Sequence, residues 1–185
     1  MIDEMEYKRR KDNHKKGIET NWFIDSIDTE TRFMLSSTFA EKRDNKAIRE
    51  VVKGMRFKTE NQIKSITTDG FNVYDEIVKR YYGYNRYNRD YQIEHHKVIA
   101  SKGEGFNHKI ERLHNSIRER TKIFRGFHGS INSAKAIMQG YTIFYNFIRK
   151  HQAINCCPYE LAIPNLKLNE NKWLDLIYAT KKEKI

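Results

Sequence analysis

The order of strand-like and helix-like segments is the feature that most constrains the fold of this chain. Three segments rich in aromatic and β-branched residues come first, and helix-like and strand-like segments alternate after them. The sequence predicts strands at 2–7, 21–28, 31–39, 62–68 and 91–99, and helices at 44–55, 71–82, 107–128 and 129–151. Consecutive strands indicate an antiparallel meander, and the later alternation indicates parallel strands. The predicted fold is α/β, a five-stranded mixed sheet flanked by helices.

Apolar residues recur at helical spacing in two of the predicted helices. After a capping Asp44, the first helix places five apolar residues on one face: Ala47, Ile48, Val51, Val52 and Met55. The segment NHKIERLHNSIRERTKIFRGFH at 107–128 places a second set on one face: Ile110, Leu113, Ile117 and Phe124. Its polar face contains Glu111, a carboxylate within a strongly basic helix.

Length and composition predict one domain without a membrane partner. At 185 residues the chain can bury one core, which we place at 1–155, with an arm and short helix at 156–185 packing on it. No apolar run approaches the roughly 18 residues of a membrane span, and the first residues lack the apolar stretch of a signal peptide. The adjacent Cys156 and Cys157 favour a reducing compartment. We therefore expect a cytoplasmic protein.

The charge distribution favours a polyanionic partner. The net charge is +11 and the isoelectric point is near 9.6, which is typical of nucleic-acid binding. KRRKDNHKK at 8–16 carries six basic residues against one Asp, and 107–125 carries six against two carboxylates. A basic, solvated surface without a partner is the alternative. The tyrosine-rich segment at 81–91 is consistent either with stacking on unpaired bases or with a surface connection.

Three carboxylates fall where chemistry is expected in such a fold. Asp3 lies in the first strand, Asp69 follows the fourth strand within TTDG, and Glu111 lies on the polar face of the basic helix. Ligands of α/β sheets collect at strand ends. Each residue also has an ordinary explanation. Asp3 can be a solvated terminal residue, Asp69 a turn residue or helix cap, and Glu111 a member of a surface ion pair.

Several motifs together resemble the catalytic domain of DDE transposases of the prokaryotic insertion-sequence type, a ribonuclease H-like group that includes retroviral integrases. DEMEY at 3–7 is similar to the strand of the first aspartate, and ITTDGFNVY at 66–74 to the motif of the second. NHKIERLHNSIRERTKIFRGF resembles the third motif, in which a glutamate precedes a basic helix. NWFIDSIDTETRFML and YNFIRKHQAINCCPYELAIPNLKL resemble the hairpin and the C-terminal end.

This resemblance implies a site and a set of partners. Asp3, Asp69 and Glu111 would form a catalytic triad that holds two Mg²⁺ ions, with Mn²⁺ as the alternative metal. The reaction would be DNA strand cleavage and strand transfer during transposition, on transposon ends and target DNA, by a homodimer. The expected DNA-binding residues are Asn107, Lys109, Arg112, Arg118, Arg120, Lys122 and Arg125. Asp28 is a rival first aspartate and Asp25 a weaker one, although a turn position suits Asp28 better.

Two other functions use the same residues. Asp3 is the third residue, so its strand has little upstream support, and the recognition domain usual in the family is not expected in this sequence. The chain would then be a truncated, inactive DNA-binding remnant of a transposase. A metal-dependent nuclease on the same fold is the second alternative, which substrate preference would distinguish.

Overall fold

The computed structural model describes residues 1–7, 21–98, 108–123 and 130–182. Its strands are β1 (Ile2–Tyr7), β2 (Asn21–Ile27), β3 (Met34–Ala40), β4 (Ser65–Asp69), β5 (Tyr84–Asn85), β6 (Asp90–Tyr91) and β7 (Glu94–Val98). Its helices are α1 (Asn45–Lys58), α2 (Val73–Tyr82), α3 (His108–Ile123), α4 (Ile131–Ile143) with a π-helical end (Phe144–Ile148), α5 (Pro158–Ala162) and α6 (Lys172–Lys182). None of the helices in these ranges is long and apolar enough to cross a membrane.

The strands form hydrogen-bonded groups that differ from the predicted single sheet. β1, β2 and β3 form the expected antiparallel meander, with Asp3 opposite Asp25, and β4 pairs with β7 in parallel. The expectation of one five-stranded sheet is thus met only in part, because β4 lies beside β1 without ladder hydrogen bonds among the described residues. Carboxylates of both strands converge at this seam.

Helices cover both faces of the meander. Successive side chains of a strand point to opposite faces, so Ile24 belongs to a core cluster with α1 and α2, whereas Phe23 belongs to a second cluster with α3 and α4. Both residues are fully buried, which makes β2 the central strand. Asp44 caps α1 by accepting a 2.9 Å hydrogen bond from the backbone N–H of Ala47. The two-faced arrangement was predicted from the sequence.

The end of α4 departs from regular α-helix. Residues Phe144–Ile148 form a π-helical turn, and the buried Asn146 binds the edge of β3 from it. Its Oδ1 accepts a 2.7 Å hydrogen bond from the N–H of Met34, and its Nδ2 donates to the carbonyl of the same residue at 2.9 Å. α5 packs against this turn, with the rings of Phe147 and Tyr159 stacked at 5.5 Å. The boundary at 155/156 stays a prediction.

Candidate metal and DNA site

Three carboxylates meet where β1 approaches the end of β4. One oxygen each of Asp3, Glu4 and Asp69 lies within 4.8 Å of the other two, the one such acidic group among the described residues. Asp3 and Glu4 are consecutive on β1, so their side chains start on opposite faces of the strand. Asp69 is the last residue of β4 and reaches the cluster from the neighbouring strand. Its Oδ1 also accepts a 3.0 Å hydrogen bond from the N–H of Phe71, which fixes the turn into α2.

Arg43 holds two of these carboxylates on the α1 and α2 side. One guanidinium nitrogen lies 2.9 Å from Glu4 Oε2 and 2.5 Å from Asp69 Oδ2. The guanidinium also stacks over the Phe71 ring at 4.1 Å from its centroid. The hydroxyl of Tyr74 donates a 2.6 Å hydrogen bond to Glu4 Oε1. Glu4 is therefore held by two donors, and its side chain is only 2% exposed.

Burial shifts the ionisation of the cluster. Desolvation raises the pKa of Asp3 and of Glu4 above their ordinary values, and the nearby Asp69 carboxylate adds to both effects. Burial also raises the pKa of Tyr74 well above its usual value, so this hydroxyl stays a donor. Three carboxyl groups face one guanidinium here.

His114 of α3 contacts the first carboxylate from the opposite face of the sheet. Its Nδ1 lies 3.9 Å from Asp3 Oδ2, and its Nε2 lies 3.2 Å from Asp25 Oδ2. Asp25 is fully buried and lies opposite Asp3 in the β1–β2 register. The imidazole therefore lies between the two aspartates and brings α3 next to the strand that carries Asp3.

Glu111 lies one helical turn before His114 and outside the close cluster. Its side chain is 53% exposed, and its Oε2 is 3.8 Å from Nδ1 of His108. Residues three apart on a helix are neighbours on its surface, so Glu111 lies beside a residue that contacts Asp3. The structure thus joins Asp3 and Asp69 directly and places Glu111 on the adjoining helix.

The expected DNA-binding residues of α3 are solvent-facing where they are described. Arg112, Arg118 and Arg120 are exposed and Lys109 is half-buried. Arg118 donates a 3.2 Å hydrogen bond to Asn115 Oδ1. Asn107, Arg125 and the side chain of Lys122 lie outside the described residues, as does the basic segment at 8–16.

Asp28, the rival first aspartate, is used by the turn between β2 and β3. Its Oδ2 accepts hydrogen bonds from the N–H of Thr31 at 3.1 Å and from the hydroxyl of the same residue at 2.5 Å. The backbone N–H of Asp28 donates to the carbonyl of Phe33 at 2.8 Å. This turn lies at the end of β2, and its carboxylate is not part of the acidic cluster.

Sequence reasoning missed most of the residues that surround the carboxylates. Glu4 lies on β1, Arg43 in the connection between β3 and α1, and Tyr74 on α2, and no local period connects them. The available signal was the adjacent acidic pair Asp3-Glu4, because neighbouring strand residues face opposite layers. His114 had a weaker signal, as a polar residue adjoining the apolar stripe of α3.

Two solved structures from retroviral integration complexes have a similar fold. A chain from the cryo-electron microscopy structure of the simian T-cell lymphotropic virus intasome, in complex with PP2A regulatory subunit B56 gamma, superposes with a TM-score of 0.58 and 12% identity over 92% of this chain. This chain spans 58% of the length of that chain. The HTLV-2 integrase catalytic core domain, in complex with magnesium in a trimeric form, superposes with a TM-score of 0.50 and 12% identity over 86% of this chain and 93% of that chain. The fold is therefore integrase-like, that is, ribonuclease H-like.

The sequence gives the family directly. Residues 19–152 match the family model of IS240-type transposases, described as a DDE domain. No curated protein matches the chain. Because the match covers more than half of the chain, the protein belongs to this DDE transposase family, as its motifs predicted. The matched range includes Asp69 and Glu111 and begins after Asp3.

Proposed function

We propose that this protein catalyses DNA strand cleavage and strand transfer in transposition, by metal-dependent phosphoryl transfer. The observation that carries the proposal is the convergence of Asp3 and Asp69, which are 66 residues apart in sequence, on one acidic cluster. Membership of the DDE family supports the same reaction class. We infer further that β4 continues the meander next to β1, so that the five main strands act as one sheet across the site.

The donor set fits a hard divalent cation. Mg²⁺ prefers oxygen ligands and binds through a few carboxylates together with phosphate oxygens. Asp3, Glu4 and Asp69 offer oxygens within 4.8 Å of one another, and burial of Asp3 and Glu4 makes their charged forms costly without a cation. Asp3, Asp69 and Glu111 would hold two Mg²⁺ ions, or Mn²⁺, with Glu111 reaching the site from α3.

Each protein group has a separate task in this proposal. Bound metal ions would activate the attacking oxygen and stabilise the leaving oxygen of an in-line displacement. Arg43 orients Asp69, and its charge lowers the pKa of Glu4 against the effect of burial. His114 holds Asp3 from the other face of the sheet. Arg118, on the same flank of α3 as Glu111, would contact the phosphate under attack.

Calorimetric titration with Mn²⁺ tests the metal site before any activity is assumed. We expect wild-type protein to bind Mn²⁺, and Asp69→Asn and Glu111→Gln to lose most of the affinity. Glu119→Gln is the matched control, because Glu119 is an exposed glutamate of the same helix. Folded wild-type protein that binds no Mn²⁺ would contradict the proposal and favour the inactive DNA-binding remnant. Equal losses of Mn²⁺ affinity in Glu119→Gln and Glu111→Gln would contradict the assignment of Glu111 as a metal ligand.

Substrate preference separates transposase from nuclease. We expect Mn²⁺-dependent joining of a DNA 3′-hydroxyl to a target duplex, which Asp69→Asn abolishes. Cleavage of many substrates without any joined product would favour the metal-dependent nuclease. Pairing of two DNA ends makes a homodimer the expected active species, which light scattering with and without DNA can measure.

A further inference from the structure

A polar cluster lies between α3 and the end of α4, away from the carboxylates. The hydroxyl of Ser116 accepts hydrogen bonds from the guanidinium of Arg149 and from the hydroxyl of Tyr141, the latter at 2.9 Å. On a helix that turns about 100° per residue, Ser116 is about 140° from Glu111. The cluster therefore lies on the opposite flank of α3 from the proposed metal ligands.

Two arginines belong to the cluster, and the buried Asp25 is a carboxylate that acts on it through charge, since it raises the pKa of Tyr141. Arg149 and Arg120 form no ion pair with any acidic side chain in the described ranges, in contrast to Arg43 and Arg49. Arg120 lies over the ring of Phe144 at 4.4 Å from its centroid, which brings it to the π-helical turn. Arg149 thus contacts Ser116 directly, and both guanidinium groups act through charge on Tyr141.

Neighbouring ionisable groups report the same positive field. Burial lowers the pKa of His151, and the positive charges of Arg149 and Arg32 lower it further. Burial raises the pKa of Tyr141, whereas Arg149 and Arg120 act in the opposite direction. An incoming anion would therefore meet the charges of Arg149 and Arg120.

Most hydrogen-bond donors of the cluster have no acceptor in the described part of the chain. A guanidinium has five N–H donors, and Arg149 uses one of its side-chain donors, on Ser116. Ser116 receives two hydrogen bonds, and its own O–H has no acceptor within the described residues. Arg149 is half-buried, so water or an anion can reach its remaining donors.

The backbone holds Arg149 at this place. It is the first residue after the π-helical turn, and its N–H donates a 2.8 Å hydrogen bond to the carbonyl of Phe144. π-Helical turns within α-helices are rare and occur frequently at functional sites. This turn ends the helix so that an extended Arg149 points its side chain at Ser116 of α3.

We propose that Arg149, Arg120 and Ser116 bind a backbone phosphate of DNA, as a second contact beyond the metal site, with Tyr141 holding Ser116 in place. The inference rests on the proposed function, because it assumes that DNA crosses α3 from the flank of Glu111 to the flank of Ser116. Guanidinium groups bind phosphate oxygens in a bidentate manner, and hydroxyls complete such sites. The contact fixes the position of the duplex without reading its sequence.

The salt dependence of DNA binding tests the proposal. Fluorescence anisotropy with a labelled duplex would compare wild-type protein, Arg149→Gln and the control Lys150→Gln, which removes the same charge from the exposed neighbouring residue. We expect Arg149→Gln to weaken binding roughly 10-fold and to reduce the slope of log K against log salt by about 1. Lys150→Gln should change both quantities much less, and Arg149→Lys should restore part of the slope.

Three results would overturn the proposal. The first is a salt slope for Arg149→Gln equal to that of Lys150→Gln. The second is a lower melting temperature of Arg149→Gln with an unchanged slope, because Arg149 would then only brace α3 against α4. The third is the lack of salt-dependent DNA binding by wild-type protein.

Mn²⁺ calorimetry keeps this test separate from the proposed function. Arg149→Gln should bind Mn²⁺ like wild-type protein. Loss of the salt slope in this variant, combined with no Mn²⁺ binding by wild-type protein, would contradict the catalytic proposal and retain the phosphate site.

Discussion

Replacing Arg43 by methionine removes the cation that contacts two carboxylates of the acidic cluster. Glu4 would keep one donor, the hydroxyl of Tyr74 at 2.6 Å. Asp69 would keep its contact with the backbone N–H of Phe71. The aliphatic part of methionine can still pack on the Phe71 ring that the guanidinium covers. The substitution therefore tests charge more than volume.

The expected loss follows from the exposure of the two carboxylates. Breaking a buried ion pair from one side costs about 3–5 kcal/mol. Glu4 is 2% exposed and falls in this class, but Tyr74 still satisfies it in part, and Asp69 is 32% exposed to water. We therefore expect Arg43→Met to lose about 2–3 kcal/mol of unfolding free energy. That loss corresponds to a fall in melting temperature of about 5–10 °C for a chain of this size.

The loss should depend on pH in a defined direction. Burial holds the pKa of Glu4 above its ordinary value of 4.5 in the folded protein, so the folded state binds this proton more tightly than the unfolded state. Removal of Arg43 raises this pKa further, because the guanidinium lowers it. Protonation then stabilises the folded variant as the pH falls toward 4.5. The deficit of Arg43→Met relative to wild type should narrow over that range.

Urea denaturation at about pH 7.5 and about pH 5 measures both effects. Arg49→Met is the matched control, since Arg49 of α1 pairs with the 62%-exposed Glu76 at 3.3 Å. Such surface pairs contribute about 0–1 kcal/mol. A deficit of Arg43→Met that stays constant between the two pH values would refute the assignment to Glu4. A loss equal to that of Arg49→Met would refute the buried ion pair itself.

Three further substitutions test the packing around the site. Asn146→Ala should lose about 2–4 kcal/mol in urea denaturation, because it leaves both backbone groups of Met34 without their partner; a loss below 1 kcal/mol would mean that water replaces the amide. Ile117→Ala, at a fully buried position of α3, should lose about 2–5 kcal/mol, and a neutral result would show that α3 does not pack as described. Asp44→Ala should lower the melting temperature by about 2–4 °C through loss of the α1 cap. Asp44→Ser should keep most of the stability that the cap provides, because serine is also a good N-cap residue.

Local sequence patterns predicted the elements that face the core. The five apolar residues predicted for α1 are all buried, as are Ile110, Leu113 and Ile117 of α3. The burial of these residues could be predicted from the helical spacing of apolar residues, which is a local feature of the sequence. The first strand and the hairpin were predicted at nearly their observed bounds, although β3 begins at Met34 because the Asp28 turn extends to Phe33.

The parts that were not predicted depend on contacts between distant residues. Arg43 contacts Glu4, which lies 39 residues away in sequence. His114 of α3 contacts Asp25 of β2, which is also distant in sequence. The tyrosine-rich segment contains the short β5–β6 hairpin, whose pairing of Tyr84 with Tyr91 leaves no alternating pattern to detect. The convergence of Asp3 and Glu4 of β1 with Asp69 of β4 likewise exists only after folding.

The acidic cluster forms only when the β1–β3 meander and the β4–β7 pair are docked along the seam between β1 and β4. Asp3 belongs to the meander and Asp69 to the β4–β7 pair, and no ladder hydrogen bond among the described residues joins the two groups. Docking of one group onto the other is therefore the same event as assembly of the carboxylates, with Arg43 contacting Glu4 of one group and Asp69 of the other. A divalent cation bound at the seam would contact carboxylates of both groups and stabilise their docking. Amide hydrogen exchange in β4 should then slow when Mn²⁺ is added, while exchange in the central strand β2 stays unchanged.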